Sequence, residues 1–215
     1  MMLYHLSDIC RSVRIALREN VRTQPLLDAG DIDTLMLDEV IEAQVEKAAC
    51  EVLLAAPHAL LEEGLPFPAK VVWHRQPCHL WGHVLLPDDY LRLVSFRMSD
   101  WERAATLITV DDPRYQWQHS RFPGICGNPQ NPIAVEVTYP EGRVLEFFSC
   151  HLPANLPKDV DKEPMFDLPP HDVHPHVIHA RYLPIPRLHP VDRTIHLPRR
   201  LYDTLIERIT LNVEH

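Results

Sequence analysis

Four histidines, His171, His174, His176 and His179, fall within nine residues, with His189 and His196 further on. Imidazole nitrogens bind zinc, copper and nickel, and His174 and His176, two apart, would share one face of a strand. The stretch is broken by prolines, and a catalytic metal needs a third converging ligand with outer support. His174, His176 and His179 are therefore the metal candidates, with surface histidines and no cofactor as the expectation. Cys126, in Gly124-Ile125-Cys126-Gly127 just after His119 and Ser120, invites a thiol nucleophile. Such a thiol wants a nearby cation or a helix N-terminus, whereas a lone cysteine is usually a small buried residue. No Gly-x-Ser-x-Gly elbow occurs. The acidic pairs Asp31/Asp33, Asp88/Asp89 and Asp111/Asp112 could take magnesium or divide acid and base roles, but each stands where a turn or helix start needs a cap. No catalytic residue is assigned, and the chain reads as a non-enzyme.

The elements that would position these groups follow from periodicity. Leu6, Ile9, Val13, Ala16 and Leu17 predict a helix capped by Ser7 and running to about Asn20. Leu37, Ile41, Val45, Ala48, Val52 and Ala56 predict a longer one, opening near residues 34–38 and ended by Pro57. From Lys70 the period becomes alternating. Strands are expected over 71–74, 80–86, 91–98 and 103–110, and the stretch LLPDDYLRLVSFRMSDWER, 85–103, forms a turn, a central strand and a second turn. Asp111-Asp112-Pro113 starts a short helix to Gln118. Ile133, Val135, Val137 and Tyr139 alternate, Pro140-Glu141-Gly142 turns, and 144–149 returns as a hairpin. One more strand over 177–183 and a helix opening at Pro198, with Leu201, Leu205 and Ile209 inward, complete an α+β fold. Helices at both chain ends surround an antiparallel sheet, with a proline-rich extension. The expected division is a main domain 1–150, a proline- and histidine-rich arm 151–176, and a strand and terminal helix, 177–215, that pack back on it.

Composition narrows the function classes. With 21 prolines against 6 glycines the chain makes many rigid connections and few left-handed turns. A net charge of −9 argues against a protein that grips nucleic acid through a broad basic surface, though not against a wall along which DNA slides. Arg187, Arg193, Arg199 and Arg200 make the C-terminal part less acidic, and Arg199 and Arg200 are interface candidates for phosphates or an acidic partner. Trp101 and Phe122 are candidates too, and all four tryptophans, Trp73, Trp81, Trp101 and Trp117, are readable as core residues or interface anchors. Five widely spaced cysteines suggest free thiols. Asp8 and nearby arginines interrupt any apolar leader, and no stretch has the length of a membrane span, so synthesis in the cytoplasm is expected.

GDIDTLMLDEVIEAQVEKA at 30–48, LPDDYLRLVSFRMSDWER at 86–103, DDPRYQWQHSRFPGICGNPQNP at 111–132 and LEFFSC at 145–150 resemble a group of structural proteins of tailed bacteriophages and prophages of gut bacteria. In arrangement the chain is similar to head-to-tail connector (adaptor) proteins. That resemblance implies a virion neck protein that binds portal on one side and the adjacent tail or neck protein on the other. It implies a homo-oligomeric ring, typically of twelve copies, that lines the DNA exit channel and touches DNA only transiently. It implies no cofactor, no membrane and no catalytic residue. The chain departs from the pattern after residue 150. Two readings of other classes stand beside it: a metal-dependent enzyme using the histidine cluster, and a monomeric prophage protein that binds a host factor.

Overall fold

The computed structural model describes residues 2–17, 37–61, 63–75, 80–118, 120, 129–150 and 175–214. They form two compact units, one of residues Met1–Glu63 with Pro184–His215 and the other of Gly64–Leu183. This partition differs from the expected one at 150 and 176. The strand expected over 177–183 belongs with the sheets and the last helix with the N-terminal helices. Proline content marks connections; it does not report which segments share a core.

The first unit starts with strand β1, Met2–His5, which pairs antiparallel with β10, Thr194–Leu197. Neither strand was legible as such, since four residues carry too little periodicity. Helix α1, Leu6–Ala16, follows without a loop. His5, extended at φ −77° and ψ 142°, is the N-cap residue and gives no side-chain cap. The Leu6 amide donates instead to the Arg193 carbonyl at 2.8 Å. Ser7, the expected cap, lies inside the helix, because the incoming strand sets where the helix can begin. Ile9, Cys10 and Val13 form the buried face, while Ala16 is exposed.

Helix α2, Leu37–Ala55, buries Ile41, Val45, Ala48, Ala49, Val52 and Leu53, and ends just before Pro57 as expected. Pro198 leads through a 3₁₀ turn, Arg199–Leu201, into helix α4, Tyr202–Glu214. Leu201 of the turn and Leu205, Ile206 and Ile209 of the helix are buried. Each such aliphatic side chain, withdrawn from water, contributes about 1.5–3 kcal/mol. Tyr4 stacks on Tyr202 at 4.4 Å, fastening β1 to α4. Among the described residues no helix is long and apolar enough to cross a membrane.

The second unit holds two sheets. One is three-stranded, in the order β2 (Leu65–Pro66), β9 (Val177–Pro184), β5 (Tyr90–Met98). The other is five-stranded, in the order β3 (Val71–Arg75), β4 (Leu80–Leu85), β8 (Gly142–Cys150), β7 (Ile133–Tyr139), β6 (Thr106–Ile108). The α+β class stands, with strands in three sheets instead of one. The stretch 85–103 does enter β5 through a turn, closed by the Tyr90 amide on the Pro87 carbonyl at 3.0 Å. The hairpin β7–β8 closes with Tyr139 opposite Gly142, whose φ of +136° suits glycine.

The strand expected over 103–110 shrinks to three residues and runs parallel to β7, a departure from an antiparallel sheet. A parallel pair needs a crossover, and helix α3, Pro113–Gln118, lies in that connection. Asp112 starts it, its Oδ1 accepting from the Arg114 amide at 2.9 Å.

Both sheets contribute to one core. Phe147 meets Phe96 at 5.0 Å, Trp73 at 5.6 Å and Trp101 at 5.9 Å between ring centroids. Gly82 lies under Phe147, where an added Cβ would stand 2.7 Å from Cζ and 2.9 Å from Val71 Cγ1. Trp101, an interface candidate from sequence, is 2% exposed, and its indole N–H donates to the Ser149 carbonyl at 3.2 Å. It is a core residue. The indole's size, which made it a plausible anchor, is what fills the space between the sheets.

Candidate functional site

Alternation along a strand sends every second residue to the opposite face. In the five-stranded sheet, Leu80, Gly82 and Val84 of β4 and Leu145 and Phe147 of β8 face the shared core. Trp81, His83, Glu146 and Phe148 therefore face the other way, where α3 brings Tyr115 against Phe148. His74 of β3 lies on this outer face too, paired in register with Trp81.

Glu146 is the centre of this face. It stands opposite His83 on β4 and Val135 on β7, and is 3% exposed. A carboxylate in such a place must be hydrogen-bonded. The Tyr139 hydroxyl donates to its Oε1 at 2.5 Å and the Tyr115 hydroxyl to its Oε2 at 3.0 Å. Burial, with Glu146 alongside, pushes the Tyr115 phenol up to about 12 and moves that of Tyr139 higher. Both phenols are donors at neutral pH, one to each carboxylate oxygen.

Beside this triad lies a histidine pair. His74 Nε2 and His83 Nδ1 are 3.1 Å apart. The His74 ring stacks on Trp81 at 4.0 Å, and the His83 ring meets Tyr139 edge-on at 5.1 Å. Burial, and then the neighbouring His83, lowers the His74 pKa to about 4. Burial also lowers that of His83, against the opposing pull of Glu146 and Glu141. Both imidazoles are neutral at pH 7, so the pair offers lone pairs and N–H groups but no charge.

The residues singled out from sequence do not converge here. His174, Phe122, Cys126, His119, His171 and the Asp31/Asp33 pair lie outside the described residues. His176 and His179 are exposed, and the His176 amide donates to Ser99 Oγ at 3.1 Å. Among the described residues no group of three or more His, Cys, Asp or Glu side chains is placed to hold a metal ion. Asp112 caps α3 as expected, whereas Asp89 accepts from the Tyr182 hydroxyl at 2.8 Å. Arg199 and Arg200 are exposed on their 3₁₀ turn.

The helical unit carries a cleft of about 510 Å³, lined by His5, Ser7, Cys10, Arg14, Asp38 and Arg193 among others. Its charges neutralise one another: Arg14 Nε bonds Asp38 at 2.8 Å, and Arg193 pairs with Glu42. Burial and then Asp38 push the Cys10 thiol up to about 11, which favours its protonated form at neutral pH.

The His74–His83–Glu146 face escaped sequence reasoning, although it left signals. Glu146 interrupts an otherwise apolar returning strand, and His74, Trp81 and His83 recur across a turn at spacings that meet on one face. Compared with known proteins, the chain matches no family model, no curated protein and no solved structure.

Proposed function

We propose that the chain is a non-enzymatic structural protein of a tailed-phage virion, a head-to-tail connector of the adaptor or neck-ring kind. It is made in the cytoplasm of the bacterial host and ends in the virion neck. Its partners are the portal protein, the adjacent tail protein and other copies of itself in a ring, with DNA passing through the channel.

The observation that carries this reading is the pairing of quenched chemistry with open, apolar strand edges. Glu146 has both carboxylate oxygens engaged by phenols, and burial with Asp38 favours the protonated Cys10 thiol. By contrast, Met2 and Leu3 of β1 are 47% and 58% exposed, on a strand whose described partner is β10 alone. Leu107 of the edge strand β6 and Leu65 of the edge strand β2 are exposed as well. An uncovered strand edge with apolar side chains is a template for another chain, which suits a protein that works by assembly. A net charge of −9 fits a channel wall that does not grip phosphates.

Native mass spectrometry of the untagged protein, alone and mixed with the portal protein of the same phage, tests the reading. The expected result is a ring-sized assembly or a multi-copy portal complex. A monomer that ignores portal overturns it.

A further inference from the structure

We propose that His74 and His83 together hold one divalent late transition-metal ion, zinc being the chemical class that suits the pair, through Nε2 of His74 and Nδ1 of His83. This is independent of the connector role and uses none of the histidines of the 171–179 cluster.

The geometry is that of a chelate. His74 pairs with Trp81 and His83 with Val72, so the two rings lie diagonally on one face of two antiparallel strands. Zinc–imidazole bonds are about 2.0–2.1 Å long, so two such nitrogens are about 2.9 Å apart at a right angle and about 3.4 Å at a tetrahedral one. The observed 3.1 Å falls between these limits. Binding requires His74 in its Nδ1–H tautomer and His83 in its Nε2–H tautomer, which frees a lone pair on each facing nitrogen. Glu146, opposite His83 in register, adds negative potential behind the ligand. The remaining coordination positions go to water or to a donor brought by a partner. The ion then acts as a clip across β3, the edge strand of its sheet, and β4.

The same 3.1 Å is also within reach of a direct N–H···N bond between neutral rings, and the experiment separates the two. Copper(II) binds such sites more tightly than zinc and quenches indole fluorescence on contact. Trp81 stacks on His74 and is the reporter. The full chain, with His171, His174, His176 and His179 changed to Asn to remove competing ligands, is titrated with copper chloride. Saturable quenching is expected, reversed by excess EDTA, lost in His74→Gln and in His83→Gln, and much reduced in Trp81→Phe. Zinc should raise the melting temperature of the parent and leave both Gln variants unmoved, which guards against a variant that merely folds poorly. Absence of saturable quenching in the parent, or its persistence in both Gln variants, overturns the proposal.

Discussion

The two faces of the five-stranded sheet solve opposite problems with the same strands. On the inner face, Trp73, Phe96, Trp101 and Phe147 meet edge to face or tilted, and the Trp101 indole N–H goes to a backbone carbonyl. On the outer face the same register puts a carboxylate, two phenols and two imidazoles side by side. Cohesion inside is a matter of shape and displaced water; cohesion outside depends on each donor finding its acceptor. The inner face should therefore respond to volume and the outer one to hydrogen-bonding capacity and pH.

The largest expected effect is on the inner face. Phe147→Ala should cost about 3–5 kcal/mol in chemical denaturation, because the ring is fully buried among three aromatic neighbours that are too rigid to close the gap. A loss under 1 kcal/mol would mean that the two sheets do not depend on this contact.

On the outer face, Glu146→Ala strands the Tyr115 and Tyr139 hydroxyls and should cost about 1–3 kcal/mol. Glu146→Gln should recover most of that, since an amide can accept from one phenol and donate to the other. Equal losses in the two variants would show that packing, not hydrogen bonding, governs this face and would erase the contrast.

The smallest effect is on pH dependence. His74 has a folded pKa of about 4 against an ordinary 6.5. Between those values the unfolded chain binds more protons than the folded one, so stability falls as pH falls through that window. The ring is partly open to solvent, which weakens the dependence. His74→Gln should flatten the stability profile between about pH 4 and 6.5 relative to the parent when both are unfolded in urea. Superimposable profiles would remove the histidine pair from the account of acid sensitivity.

Sequence reasoning read long elements well and short ones poorly. Helix α2, the capped start of α3 at Asp112 and the hairpin β7–β8 were legible because periodicity or turn chemistry is local. Strand β1, strand β10 and the parallel alignment of β6 with β7 were not, because each is set by a partner distant in the chain. The site suffered from the same limit. Histidines crowded at 171–179 drew attention by proximity in sequence, whereas His74, His83 and Glu146 are brought together only by strand register. Ser7 illustrates it on a small scale: a good cap by type, displaced by a backbone bond from Leu6 to Arg193.

The helical unit is made from the two ends of the chain, with all of 64–183 between them. That arrangement has a consequence for the order of events at the ribosome. The five-stranded sheet, whose last strand ends at Cys150, can close before Leu205 and Ile209 are translated, while α1 and α2 still wait for α4. During that interval Ile9, Val13, Ile41 and Val45 lack the helix that covers them, a sticky nascent surface suited to chaperone capture. Of the two units, the helical one is thus the later to be completed.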